Sequence, residues 1–332
     1  MKLIKCIAVI QFLLALTACG GGGGGGGSTP ATSPPGTTST PTSFTAAAMA
    51  GELLTYTVDT TSLTYSYTIT ASQYGLTGRT GSGTLTLDAD GTYSPSGMTN
   101  SKVVVLPNGL LLGAIREIIN GTLTTIPIYG VKSPVTTFAE AAGTYNYVDR
   151  FCIAPTCFSG YGTFNISPGG LWSSCASGNL TTGCTGIARN GTLNNLGGGL
   201  SQVVNGTTVI GTALAFNSGN QKVIVLDLNN AVTGLGLLVG SEQEVATTDQ
   251  ANGTWVGSTT TGFNVKFIVA GTTITRQTVN GVASTATTTL TINSPWAGMA
   301  STSSGGKAIL AGTGVYAFQN AGGFGEIGLK LQ

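Results

Sequence analysis

Thiols, carboxylates and aromatic rings are the chemistry open to this chain, because it contains no histidine. That absence removes the Ser-His-Asp triad, the Cys-His pair, histidine-ligated metals and imidazole proton shuttles together. Of the six cysteines, four lie close together: Cys152, Cys157, Cys175 and Cys184. An even set in an exported chain reads as two disulfides, with zinc as the rival. No Cys-x-x-Cys pair supports zinc, and neighbour pairing, Cys152–Cys157 and Cys175–Cys184, is the favoured connectivity. The first bridge would clamp the Ile153–Thr156 turn and the second would close a Gly/Asn/Thr loop. Loops this short gain little from crosslinking entropy, so their expected role is to stiffen loop tips.

The carboxylates offer less. Asp88-Ala89-Asp90-Gly91 opens like a calcium loop, but the twelfth position, where a glutamate is needed, is Thr99. An Asp-Gly hairpin turn is the expectation there. Glu242 and Glu244 share one side of an extended segment, the kind of pair glycoside hydrolysis uses, yet they sit on a polar connector. Among the aromatics, Trp172 follows a Gly-Gly turn and precedes Cys175. Tyr161, Phe158 and Phe151 lie near it in sequence, as does Arg150. Exposed together at one rim, Trp172, Tyr161, Phe158 and Arg150 would form a rigid binding patch. Alternating into a core, they would do nothing of the kind. No catalytic constellation, metal site or cofactor site emerges, and the expectation is a non-catalytic protein.

The N-terminus carries a different chemistry. Lys2 and Lys5 precede an apolar run from Cys6 to Leu16 that only Gln11 interrupts. The run is about half the ~20 residues a spanning helix needs and suits the core of a secretory signal. It ends Leu16-Thr17-Ala18-Cys19. These four residues resemble the lipobox of bacterial lipoproteins. The resemblance implies a signal peptide over 1–18, diacylglycerol on the Cys19 thiol and acylation of the new amino group. Two or three acyl chains hold a protein on a membrane where one does so only marginally. Eight glycines, Gly20 to Gly27, follow, and Pro30, Pro34, Pro35 and Pro41 lie among Ser and Thr. Residues 19–44 thus read as a lipidated tether reaching roughly 25–30 Å as a coil. Gly20 after the cysteine, where an aspartate would retain the protein inside, resembles lipoproteins passed to the outer membrane.

Charged residues make up 8% of the chain, against ~25% in typical soluble domains. Without Lys2 and Lys5, the 13 basic residues fall to 11 against 12 acids, a net charge near −1. Nothing here steers a polyanion, so nucleic acid is not an expected partner. The expected partners are the membrane, through the acyl chains, and a protein or glycan ligand.

The elements that must position these groups are strands. Leu63 to Thr70, LTYSYTIT, alternates apolar and polar residues. GTLTLDADGTYS alternates around a turn at Asp88–Gly91, and FNVKFIVAGTTITRQTVNG does so around Ala270-Gly271. Thr-rich alternation between Gly/Asn turns reads as antiparallel sheet. Asn-Gly at Asn108, Asn120, Asn190, Asn205, Asn252 and Asn280 suggests several tight hairpins. SKVVVLPNGLLLGAI (101–115), QKVIVLDLNNAVTGLGLLVG (221–240) and, more faintly, GKAILAGTGVYAF (306–318) resemble one another. After the first two comes Gly-Thr-aromatic: Gly143-Thr144-Tyr145 and Gly253-Thr254-Trp255. Unequal spacing argues against a solenoid or propeller.

The expected architecture is all-β, with antiparallel meanders. A small N-terminal sandwich or sheet spans 45–138, and a larger β-barrel-like domain spans 139–332, where closure would remove exposed edges. NGTWVGSTTTGFNVKFI resembles the opening strands of small up-and-down barrels such as avidins and lipocalins. It is similar, more loosely, to the barrel halves of transferrin-binding surface lipoproteins. The whole reads as a lipid-anchored binding module of the bacterial envelope; a carboxylate-based, glycan-acting enzyme and a passive coat protein are the alternatives. Metabolic labelling with a palmitate analogue should mark the wild-type protein, and Cys19→Ala should abolish the label; equal labelling of both would contradict the lipobox reading.

Overall fold

The computed structural model describes residues 40–153, 156–218, 221–230, 234–310, 314–320 and 325–331. The segment read as a signal peptide, Cys19 and most of the span read as a tether lie outside the described residues. From Ser39 onward the chain forms one compact unit.

Alternation is realised as antiparallel strands that curl into rings. In the first ring, β1 (Thr42–Ala48), β2 (Glu52–Asp59), β3 (Thr64–Ser72), β4 (Thr80–Leu87), β5 (Tyr93–Pro95), β6 (Val104–Val105), β7 (Leu110–Ile119) and β8 (Thr122–Val131) follow in order. Strand β8 returns to β1, and a single antiparallel bridge between Tyr93 and Val103 joins β5 to β6. The second ring starts with a one-turn helix, α1 (Phe138–Ala141). It continues through β9 (Gly143–Ile153), β10 (Thr156–Ile166), β11 (Leu171–Ala176), β12 (Ile187–Gly197), β13 (Leu200–Asn205), β14 (Thr208–Ser218), β15 (Gln221–Asn230) and β16 (Gly234–Glu242). These eight strands form a closed barrel, β16 pairing with β9. The third ring repeats the plan. Helix α2 (Thr248–Ala251) leads into β17 (Gly253–Thr259), β18 (Asn264–Ala270), β19 (Thr273–Val279), β20 (Val282–Ala283), β21 (Thr287–Ile292), β22 (Met299–Thr302), β23 (Lys307–Leu310), β24 (Val315–Gln319) and β25 (Gly325–Lys330). Pairing of β17 with both β18 and β25, and of β18 with β19, closes it, leaving β20 as a flap on β19.

The all-β antiparallel architecture is the expected one, with two differences of detail. The first strand begins at Thr42, inside the span read as tether. Residues 139–332 hold two rings where one barrel-like domain was expected. An eight-stranded barrel is just wide enough for side chains to fill it, so the surplus strands divide instead of widening a single ring.

Each ring has its own interior core. Phe44, Tyr56, Ile69 and Ile115 fill the first; Tyr145, Phe164, Trp172 and Leu226 fill the second; Trp255, Phe267, Leu290 and Tyr316 fill the third. A fourth cluster belongs to no single ring. Leu110, Leu112 and Tyr129 from the first, Val223, Val225, Leu237 and Val239 from the second, and Ile309, Val315, Ile327 and Leu329 from the third meet in one apolar seam. Alternation explains its membership. On β15, Ile224 and Leu226 point into the barrel while Val223 and Val225 point outward into the seam. The three similar apolar stretches of the sequence are the β6–β7, β15–β16 and β23–β24 hairpins. They read as continuously apolar because both of their faces are buried.

The Gly-Thr-aromatic motifs mark a second shared device. Thr137 caps α1 and accepts from Glu140 N at 3.2 Å, while Glu140 Oε2 accepts from Thr137 N at 3.2 Å. Thr247 and Gln250 make the same capping box on α2. Tyr145 then donates its hydroxyl to Ala141 O, and Trp255 Nε1 donates to Ala251 O at 2.9 Å. Each helical turn is thereby tied to the first ring-filling aromatic of its barrel. A four-residue helix is too short to leave a periodicity, and none was expected. Of the six Asn-Gly pairs, Asn120-Gly121 and Asn280-Gly281 have both φ values positive, as a tight hairpin needs. Asn190-Gly191 instead lies inside β12.

Candidate functional site

Both C-terminal rings contain a cavity. In the second ring, β9 presents Tyr147, Asp149 and Phe151 inward, and β10 presents Phe158, Gly160 and Gly162 opposite them. A side chain at either glycine would collide: a Cβ on Gly160 would stand 2.5 Å from Asp149 Oδ1, and one on Gly162 2.9 Å from the Tyr147 hydroxyl. The glycines let the carboxyl and the phenol lie across the neighbouring strand. Below them, Trp172 stacks on Phe164 with ring centroids 5.5 Å apart and donates Nε1–H to Val204 O at 3.0 Å. Arg189 and Ser174, facing each other across β11 and β12, complete the lining of a cavity of about 70 Å³.

At the rim, Phe151 stacks on Phe158 with centroids 5.5 Å apart. Phe158 is 45% exposed, and Ile153 at the end of β9 is also exposed. The cysteines pair Cys152 with Cys157, at this rim, and Cys175 with Cys184, which ties the β11–β12 connection back to β11 where Cys175 faces Thr163 of β10. Cys152 and Cys157 are register partners on β9 and β10. The β9–β10 hairpin is therefore stapled at the rim, while the one-turn helix α1 lies at the other end.

Asp149 is the group in this cup with unmet chemistry. Its Oδ1 is shut off from solvent and has no hydrogen-bond partner. Burial pushes the carboxyl up to about 6, against the lowering pull of the Gly160 backbone and the Arg189 charge. Tyr147, buried next to it, is held well above the usual phenol range by burial first and by Asp149 second.

The third ring holds a larger cavity, about 230 Å³. Arg276 Nη1 donates to Glu326 Oε1 at 2.8 Å, and the Tyr316 hydroxyl donates to Glu326 Oε2. The Arg276 guanidinium lies 5.8 Å from the Phe267 ring centre and 6.0 Å from that of Phe318. The first ring has a related trio: Tyr67 donates to Glu117 Oε1 at 2.9 Å and Arg79 Nε lies 3.3 Å from Glu117 Oε2.

The residues singled out in the sequence are split by alternation. Trp172 and Phe158 face the interior of the second ring, Trp172 in the core and Phe158 at the rim. Tyr161 faces outward, where it stacks on Trp296 at 5.9 Å and lies under Lys307 Nζ at 5.8 Å. Arg150 also faces outward, its Cδ 3.6 Å from where a Cβ on Gly325 of the third ring would stand. The four do not make one patch, because residues an odd number apart on a strand point to opposite faces. Asp149, Arg189 and Tyr147 were not singled out; the one legible signal was Gly-x-Gly facing Tyr-x-Asp, which becomes visible only once β9 and β10 are paired. Asp88 is paired with Lys102 at 2.7 Å, and Asp90 with Lys266 of the third ring at 2.6 Å, so the Asp-x-Asp turn is a strut. Glu244 Oε2 accepts from Gln221 Nε2 at 2.6 Å and Glu242 Oε2 accepts from Lys222 N at 3.1 Å, so both glutamates are engaged by the start of β15.

No family model matches the chain, and no curated protein is similar to it. Among solved structures, a protein of unknown function from the DUF3598 family of Nostoc punctiforme is 15% identical over 61% of this chain and 84% of that chain, with a TM-score of 0.20. At that score and identity the likeness assigns neither fold nor activity.

The Asp149 carboxyl gives a pH signature. Its folded-state value lies above the unfolded 3.8, so the stability it contributes is complete in acid and is lost as pH rises through about 6. Glu52, pushed up to about 7 chiefly by burial, acts in the same direction, so variant and wild type must be compared at each pH. By urea titration, Asp149→Asn should be more stable than wild type by up to about 3 kcal/mol at pH 8 and no more stable at pH 4.

Proposed function

We propose that this is a lipid-anchored protein of the bacterial outer membrane, held through acyl chains on Cys19, whose second ring binds a glycan without transforming it. The lipobox-like Leu16–Cys19 and the following tether support the anchor. The observation that carries the binding reading is the buried, unpartnered Asp149 Oδ1 beneath an exposed aromatic rim. A buried acceptor left unmade costs ~1–3 kcal/mol, which a ligand donor recovers. A sugar hydroxyl is such a donor, and Arg189 supplies the complementary N–H groups. The stacked Phe151 and Phe158 rings offer an apolar platform to the C–H face of a pyranose. A cavity of about 70 Å³ takes the hydroxyl edge of one ring and leaves the rest of a chain outside. The Cys152–Cys157 disulfide keeps that rim in place before binding, which lowers the ordering cost.

The alternative of a carboxylate-based hydrolase needs two acids flanking one bond. Among the described residues, Asp149 is the one acid lining this cavity and Glu326 the one acid lining the cavity of the third ring. That arrangement favours recognition.

A glycan array probed with residues 40–332, made in an oxidising compartment, should return a defined sugar set. Asp149→Ala and Phe158→Ala should each weaken the best hit at least about tenfold. Retention of full binding by both variants, or an array without hits, would contradict the reading.

A further inference from the structure

The cavity of the third ring is built differently from the cup of the second, and its chemistry selects another kind of molecule. It is about 230 Å³ in volume, below the 300–1,000 Å³ typical of drug-sized sites, and suits a molecule of roughly ten heavy atoms. One wall is apolar, made by Ile274, Ala308 and Phe318; Thr288 and Thr302 add hydroxyls. The charged pair decides what can enter. Both Glu326 oxygens are already engaged, one by Arg276 and one by Tyr316. Glu326 is almost fully buried, its side chain 1% exposed. Arg276 spends one Nη1–H on that bond and keeps further N–H donors at the cavity wall, its side chain 18% exposed.

The pair is neutral as a unit. An anion entering would meet the Arg276 charge already balanced and the Glu326 carboxylate close behind it. A cation would meet the guanidinium. A neutral molecule with a carbonyl at one end can accept from Arg276 without disturbing the ion pair, and can lay its body on the apolar wall. We propose that the third ring is a second, independent ligand site, selective for small neutral molecules that carry a carbonyl acceptor on an apolar body. This site does not rest on the glycan reading of the second ring.

Benzamide, benzoate and benzylamine share size and shape and differ in charge, so they test the selectivity. Calorimetric titration of residues 40–332 at pH 7 should give benzamide a dissociation constant on the order of 1 mM or tighter. Benzoate and benzylamine should bind at least tenfold more weakly. Thr288→Phe, which fills the cavity from a half-buried wall position and leaves the ion pair intact, should abolish benzamide binding. Arg276→Met should also lose it, whereas Asp149→Asn should bind benzamide as wild type does. Benzoate binding as tightly as benzamide, benzamide binding that survives Thr288→Phe, or no benzamide binding to the wild type would each overturn the proposal.

Discussion

The structure depends on one apolar seam that three barrels share. A closed eight-stranded ring satisfies its own backbone and fills its own interior, and so has no intrinsic reason to adhere to another ring. What joins these rings is that each turns a hairpin outward with Val, Leu or Ile on its outer face as well as its inner one. Each such side chain, once buried, contributes ~1.5–3 kcal/mol. Leu112, Val225 and Ile309, at 0% exposure, are representative. With few charges on the chain, polar struts are scarce. Asp90–Lys266 and the bond from Trp296 Nε1 to Asn146 Oδ1 at 2.7 Å join rings at the edge of the seam, where they fix its register. Asp90 shows the strength of its strut: burial alone would raise it, yet Lys266 and Thr92 hold it at about 2.

The seam also explains what was legible in the sequence. Strands and turns could be read because β3, with Tyr65, Tyr67 and Ile69 buried and Thr64, Ser66 and Thr68 exposed, obeys the period of two without interference. The apolar hairpins could be recognised as mutually similar, though not why. A strand buried on both faces loses its alternation, and only the packed structure tells its second face from its first. The count of rings was not legible, because closure depends on pairings such as β17–β25 that join residues far apart in the chain. The capping boxes Thr137–Glu140 and Thr247–Gln250 were written plainly in the sequence, but a single helical turn has no period to draw attention to it.

The candidate sites were only half legible for a related reason. Phe158 and Trp172 were singled out as aromatics near a disulfide, and they do share the interior of one ring. Arg150 and Tyr161 were grouped with them by proximity in sequence, yet one residue's shift along a strand moves a side chain to the other face. The residues that define the cup, Asp149 and Arg189, stand on β9 and β12, which are not neighbours in the ring. The third ring makes the same point, since Arg276 and Glu326 are fifty positions apart. In each ring one carboxylate stands with an arginine and a tyrosine, a recurrence that no local window of sequence contains. Asp227, on the seam side of β15, extends the theme less favourably. Burial first, and the neighbouring Glu52 as well, hold its carboxyl well above the usual carboxylate range at the junction of the first two rings.

A seam shared in this way makes the three rings one cooperative body. Scanning calorimetry of residues 40–332 at pH 5 tests this most directly. A shared seam predicts a single transition, its calorimetric and van't Hoff enthalpies equal and near about 200 kcal/mol. Three separable transitions, each carrying roughly a third of that enthalpy, would show that the rings fold alone and that the seam is incidental.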